Sequence, residues 1–369
     1  MYELPVHNDM LFNMLYGGMA VMAIVACCYL LFRRGNAFAP NVTSPIRLRR
    51  CAAAHFAAIA LSHVLWVLIG DFRLIDDTFV GYAIAIGLDS VMLNSTMMLM
   101  LLSMLQDRRR PFWPVAVAMA PIVVIVTACI ILRSDALDSL LHAYDLLLNA
   151  LFLIYIVFAI RQYRRWLHDN YADLEHKEMW LNFVVLAVML LLFVVYENDN
   201  GSLVFMYLVE ASDFVLIGLL LWRVETLQQL DAPSAQESDT VEKLSEPAAP
   251  PSTIPSNIGQ LLAQHCENTQ IYLHHDLSLS QLSEAVGTNR YYLSQHFAQQ
   301  GLNYNAYING LRIQHFINLY HEAVATQRPF TAQQLANESG FRSYSTFSAA
   351  FKQRMGQTVT SWMHDTTEK

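Results

Sequence analysis

The side chains best placed to do chemistry are polar residues lodged in long apolar runs: His55, His63, Asp89, Asn94, His142, Asp145, Asn149, Glu210 and Asp213. An ionisable group is costly at membrane depth, so it normally faces a bundle interior or a wet cavity and marks a functional position. His142 and Asp145 are three residues apart, as are Glu210 and Asp213, which places each pair on one helix face. Such pairs suit a ligand pocket or a proton-sensitive site, and suit equally a hydrogen bond between helices or a place near the water interface.

Other chemistries lack their residues. No apolar run holds a lysine for a retinal Schiff base. His55, His63 and His142 are scattered, and no H-x-x-x-H pair lies within a run, so no metallohydrolase ligand set is present. The runs show no paired Gly/Pro breaks of the kind that mark transporter inverted repeats. Cys27, Cys28, Cys51, Cys129 and Cys266 form no C-x-x-C pair, which leaves no disulfide framework or zinc knuckle. We therefore expect no catalytic residue, no cofactor and no metal.

The elements carrying these residues follow from composition. Of 369 residues, 54% are hydrophobic and 15% charged, against about 45–50% and about 25% in ordinary soluble domains. A membrane-crossing helix needs about 20 mostly apolar residues. Seven runs qualify, at 11–32, 51–70, 80–105, 113–132, 140–160, 179–196 and 202–222. Lys and Arg then set orientation. Thirteen fall in the loops after runs one, three, five and seven, and only Arg73 and Arg133 in the alternate loops. The split alternates with seven spans, which puts the N-terminus outside and the C-terminus in the cytoplasm. The first 32 residues hold no Lys or Arg, so a retained helix is expected there rather than a cleaved signal peptide.

Residues 224–256 change character, with Pro233, Pro247, Pro250, Pro251 and Pro255 and one Lys against six acids. This reads as an extended, disordered linker, its first residues, 224–230, continuing the seventh run as a short helix. Residues 257–369 form a second domain. Ser278…Gln281 and Thr331…Gln334 have the capping-box form. Each opens a short helix, 279–286 and 332–339, that stops at Gly287 or Gly340, and a second helix follows at 290–299 or 344–354. The two copies align Leu282 with Leu335, Leu293 with Phe347 and Phe297 with Phe351. The interval from glycine to phenylalanine is ten residues in one copy and eleven in the other. A long helix, 305–325, runs between them, with Ile308, Leu311, Phe316, Leu319 and Val324 as its apolar face. Helix, glycine turn, helix is the helix-turn-helix pattern, and its duplication on one connecting helix is far more specific than a single copy.

The stretches YLSQHF, YINGLRI at 307–313, LANESGF at 335–341 and the closing Phe351…Gly356…Trp362 resemble the AraC family of bacterial transcription regulators. The resemblance covers about 258–362 and leaves the apolar part aside; the whole is similar to membrane-anchored members of that family. It implies two helix-turn-helix units, each setting the start of its second helix against base edges in a major groove. The reading positions are then Arg290, Tyr291, Ser294 and Gln295, and Tyr344, Ser345, Ser348 and Ala349. Asn289 and Ser343 would cap those helices, with N–H groups turned to phosphate. The family often carries arginine where this chain has Gln295 and Ala349. The domain has seven Lys/Arg and seven Asp/Glu, so phosphate attraction is modest unless two chains pair or histidines charge.

The sequence therefore reads as an all-α chain. A seven-helix transmembrane bundle, 1–223, is followed by a linker, 224–256, and a cytoplasmic double helix-turn-helix domain, 257–369. Its expected partners are promoter DNA, the lipid bilayer, a second copy, RNA polymerase and an unknown small-molecule or envelope signal, and its expected location is the bacterial inner membrane. The competing expectation is a membrane receptor or transporter whose helix-turn-helix domain docks a protein.

Overall fold

The computed structural model describes residues 9–33, 36–38, 42–70, 72–134, 136–174, 203–230 and 257–367. The sixth expected span, 179–196, and linker residues 231–256 lie outside them. The regular structure among the described residues is helical, apart from one isolated antiparallel bridge between Tyr171 and Ser278. Two compact units result: one from Met1–Arg161 and Met179–Ala232, the other from Gln162–Glu178 and Pro233–Lys369.

The first unit holds α1 (Met10–Phe32), α2 (Ile46–Gly70), α3 (Thr78–Met104), α4 (Trp113–Leu132), most of α5 (Ala136–Asn170) and α6 (Leu203–Thr226). Helices α1 to α5 are long and apolar enough to cross a membrane. The seventh expected span is the 24-residue α6. It carries Glu210, Asp213, Arg223 and Glu225 and is not one of these five, so five such helices rather than seven stand among the described residues. It ends at Thr226, and residues 227–230 leave the helix instead of continuing it.

Helix α2 packs against α1, α3 and α6. Half of its most apolar stretch is buried, against 17–28% in the other four, because Ala52, Ala53, Ala58, Ala60 and Ser62 let neighbouring backbones close in. On α5, Leu147, Leu151, Ile154 and Phe158 recur at helical spacing and stay exposed. An apolar stripe of that length needs a nonaqueous neighbour.

The polar residues of this unit enter separate groups. The His63 Nε2 lies 3.4 Å from the Glu210 carboxylate, with the Tyr16 ring 4.4 Å from the imidazole. Asp213, one turn on from Glu210, is half-buried. Trp66 donates to Asp89. Asn94 donates to Asp145 at 2.6 Å, and Asn149 donates to Asn94 at 3.4 Å. His142 instead pairs with Asp138 at 3.5 Å on the outer side of α5, so the two members of the His142/Asp145 pair face different surroundings. At the end of α6, the fully buried Glu225 pairs with Arg49 and accepts from the Tyr29 hydroxyl at 3.0 Å.

The second unit comprises α7 (Ile258–Leu262), which runs into a π-helical turn, then α8 (Leu279–Val286), α9 (Arg290–Gln299), α10 (Tyr304–Ala325), α11 (Ala332–Glu338), α12 (Tyr344–Met355) and α13 (Val359–Thr367). Two apolar cores flank α10. One gathers Leu279, Leu282, Val286, Leu293, Phe297 and Tyr304 around Ile308. The other gathers Leu335, Phe341, Phe347, Phe351 and Val359 around Ile313 and Phe316. The Phe316 ring sits 4.4 Å from Phe347 and 5.8 Å from Phe351. Burying each such side chain contributes about 1.5–3 kcal/mol. Val324, expected on the apolar face, is 48% exposed, because α10 runs past the second core before it ends.

Candidate nucleic-acid interface

Each helix-turn-helix begins with a capped helix. Ser278 Oγ accepts from the Gln281 N–H while Gln281 Oε1 accepts from the Ser278 N–H, a complete capping box. The second copy keeps half of it. Thr331 Oγ1 accepts from the Gln334 N–H at 3.1 Å, but the Gln334 amide turns along the helix to donate to Glu338 at 2.9 Å. That bond and the Arg328 guanidinium hold the Glu338 carboxyl below its ordinary pKa.

Both first helices end in the same left-handed glycine motif. Gly287 has φ +70° and Gly340 φ +92°. The N–H of the residue after each glycine bonds back to the carbonyl five residues earlier, Thr288 to Ser283 at 2.9 Å and Phe341 to Ala336 at 3.1 Å. The turns then differ by one residue. Asn289 caps α9 through a bond from the Tyr291 N–H at 2.7 Å, and Ser343 caps α12 through a bond from the Thr346 N–H at 3.4 Å. The extra residue of the second copy therefore lies in the turn, where Phe341 is buried in the core.

Leu293, Phe297, Phe347 and Phe351 face inward, each at most 1% exposed. The opposite faces carry the positions that the family resemblance assigns to base reading. Tyr291, Ser294, Ser345 and Ala349 are exposed, whereas Arg290, Gln295, Tyr344 and Ser348 are half-buried. The Tyr344 ring is 5.7 Å from Phe347 and packs on the second core, so part of it is committed to folding.

Two arginines matter that the sequence pattern did not single out. Arg312, in the YINGLRI stretch, is 1% exposed. It donates to the carbonyls of Tyr272 at 2.7 Å and His274 at 2.7 Å, and its guanidinium carbon lies 5.7 Å from the Phe341 ring centroid. Burial lowers its pKa. The residue thus ties the segment before the first copy to the turn of the second. Arg342 directly precedes the cap of α12 and pairs with Asp276. A hint of Arg342 was present, since a basic residue beside a helix N-terminus is a common phosphate contact. Arg312 gave none, because its acceptors lie about 40 positions earlier in the chain. His315 is held below the ordinary histidine pKa by burial, against the Glu338 charge that raises it.

A model of the helix-turn-helix domain matches residues 282–365. Over 103 residues, 28% of its length, this chain is 33% identical to an uncharacterized HTH-type transcriptional regulator of Staphylococcus aureus strain MRSA252. It is 32% identical over 103 residues to a protein of the same description from strain COL, again over 28% of this chain. This chain spans only 13% of the length of either relative. No solved structure gives a significant match. With two capped, glycine-stopped helix pairs set on one long helix and their polar faces turned outward, the C-terminal domain of this chain is a helix-turn-helix domain of the AraC type.

Proposed function

We propose that this chain is a membrane-embedded, one-component transcription regulator. It performs no catalysis, binds promoter DNA through its two helix-turn-helix units, and responds to a signal sensed at or in the bacterial inner membrane. The observation that carries the reading is the pairing, in one chain, of a duplicated helix-turn-helix with five helices apolar enough to span a bilayer. Tyr291, Ser294 and Gln295 on α9 and Ser345, Ser348 and Ala349 on α12 contact bases, with Arg290 and Tyr344 at the edges of those faces. Asn289 and Ser343 aim helix N-termini at phosphates. The partners are duplex DNA, lipid, a second copy and RNA polymerase.

The test is duplex binding by the full chain in lipid nanodiscs. Binding should weaken steeply with salt and should favour a genuine promoter over random duplex. The net charge of zero in residues 257–369 favours one other reading, a domain that docks protein; binding to DNA that is absent at every salt concentration would establish that reading instead.

Orientation follows from the Lys/Arg asymmetry. A reporter active only outside the cytoplasm should be active when fused after Asn200 and silent after Arg110. The reverse result contradicts the proposed topology.

The linker sets how the signal travels. Between Leu230 and Asn257 lie 26 residues, and a chain of that length spans roughly 25–31 Å, close to the roughly 34 Å between half-sites one DNA turn apart. Two tethered domains can then occupy both half-sites, and output depends on whether the membrane parts pair, through effective concentration. The acids Glu210 and Asp213 are the proposed signal site, with His142 and Asp145 as a second polar position on α5. Glu210→Gln with Asp213→Asn, which removes the acid facing His63, should change promoter output in cells while leaving DNA affinity unchanged. An unaltered response to the natural stimulus removes these acids from the mechanism.

A further inference from the structure

The stretch that follows the apolar part of α5 belongs to the same compact unit as the helix-turn-helix domain, and residues 170–173 are seated in it. Ala172 is 1% exposed and joins the first core. Its carbonyl accepts from Asn305 at 2.7 Å and from Asn309 at 3.3 Å, and the Tyr171 carbonyl accepts from Asn305 at 3.2 Å. Asn305 and Asn309 are one turn apart on α10, and Asn309 is buried. A buried asparagine in a packed helix needs a partner; here the partner is backbone from more than 130 positions earlier. The Tyr171 backbone also bridges that of Ser278, the cap of α8.

Both ends of the seated stretch take an arginine. Asn170 accepts from Arg290, the first residue of α9. The Asp173 carboxylate, 3% exposed, lies 3.7 Å from Arg342, which immediately precedes the cap of α12. These arginines stand at the N-terminal ends of the two recognition helices, where a helix-turn-helix protein places phosphate contacts. An amide oxygen and a carboxylate face these two arginines.

We propose that residues 170–173 are an internal competitor for DNA: their seat on α8 and α10 engages Arg290 and Arg342, and tight DNA binding requires their release. The inference rests on the DNA-binding reading above and adds its regulation. The stretch is the direct continuation of α5, so a displacement of α5 acts on the seat without passing through the linker. It also gives the zero net charge of the domain a consequence. With few cations available, holding two arginines removes a large share of the phosphate attraction. Arg342 keeps its pairing with Asp276, so release frees Arg290 and only part of Arg342; each freed phosphate contact steepens the dependence of log K on log salt by about 0.9, so release steepens it by about 0.9 to 1.8.

A reversible trap tests this in the full chain. Opposed residues in an antiparallel bridge have Cα atoms about 4.5–5.5 Å apart, within disulfide range. Tyr171→Cys with Ser278→Cys, in nanodiscs and with single-cysteine controls, should therefore close on oxidation. The probe is random-sequence duplex across a salt series. Oxidised protein should bind about tenfold or more weakly than the same sample after reduction, within the usual range of intramolecular coupling, and with the shallower salt slope. Ala172→Glu with Asp173→Arg, which unseats the stretch, should bind more tightly than the unmodified chain. Equal binding by oxidised and reduced samples, or failure of the disulfide to form, overturns the competitor. Absence of DNA binding in every state and variant instead overturns the DNA-binding reading, and this inference with it.

Discussion

Gly340→Ala is expected to destabilise the C-terminal domain by several kcal/mol, and Gly287→Ala by only about 1 kcal/mol, although the two glycines hold equivalent places in the repeat. Both have positive φ, +70° at Gly287 and +92° at Gly340. A side chain there costs about 1–3 kcal/mol in backbone strain. The positions differ in space. A Cβ at Gly287 meets nothing within 4 Å, whereas one at Gly340 falls 2.8 Å from the Leu273 Cα and 2.9 Å from its carbonyl oxygen. Backbone atoms cannot rotate away as a side-chain tip can. That backbone is also pinned, since Arg312 holds the carbonyls on either side of Leu273, and His275 Nδ1 bonds the Gly340 carbonyl at 3.1 Å. Against a total stability of about 5–15 kcal/mol, the alanine at 340 should leave the domain largely open to protease in the full-length protein. Hydrogen exchange on α11 and α12 would measure the difference. Equal protection in the two variants would show that the contact with Leu273 does not constrain the fold.

The second large effect is on recognition. Tyr291→Ala with Gln295→Ala should remove most of the preference for a genuine site over random duplex, while weak salt-sensitive binding persists. Each good base contact contributes about 1–3 kcal/mol of discrimination, so losing two should reduce the preference by about thirtyfold or more. Tyr291 is the right probe because it is 58% exposed and its ring meets the Tyr292 ring edge-on, away from the core. Tyr344 is a poorer one, because its ring packs on Phe347 and its removal mixes stability with recognition. Ser345→Ala tests the second unit more cleanly. Competition binding with specific and random duplex reads the outcome, and an unchanged preference assigns the reading face to other residues.

What was legible in the sequence was local. Ser278, Gly287, Asn289 and Thr331 act on backbone within one turn of themselves, so their types and spacing suffice to locate helix ends. The buried positions Leu293, Phe297, Phe347 and Phe351 follow from a spacing of four. Even here the second copy departed from its pattern, because Gln334 found a better acceptor in Glu338 one turn on. The larger departures were nonlocal. Arg312 reads as an ordinary exposed helix residue until carbonyls 272 and 274 fold over it. His142 and Asp145 share a spacing but not an environment, since Asp145 turns to Asn94 while His142 turns to Asp138. Nothing around Asn170 in the sequence marks it as a partner for Arg290, 120 positions later, because no periodic pattern encodes a pairing between distant segments.

The central claim is that an apolar, multi-helix chain acts on DNA directly. Genome-wide crosslinking of the tagged full-length protein, with cells fractionated so that only membrane-associated protein is recovered, tests it most directly. The account predicts a small number of discrete promoter-proximal peaks that are lost in the Tyr291→Ala, Gln295→Ala variant. Recovery of DNA no different from untagged cells, with the protein intact in the membrane fraction, would contradict it.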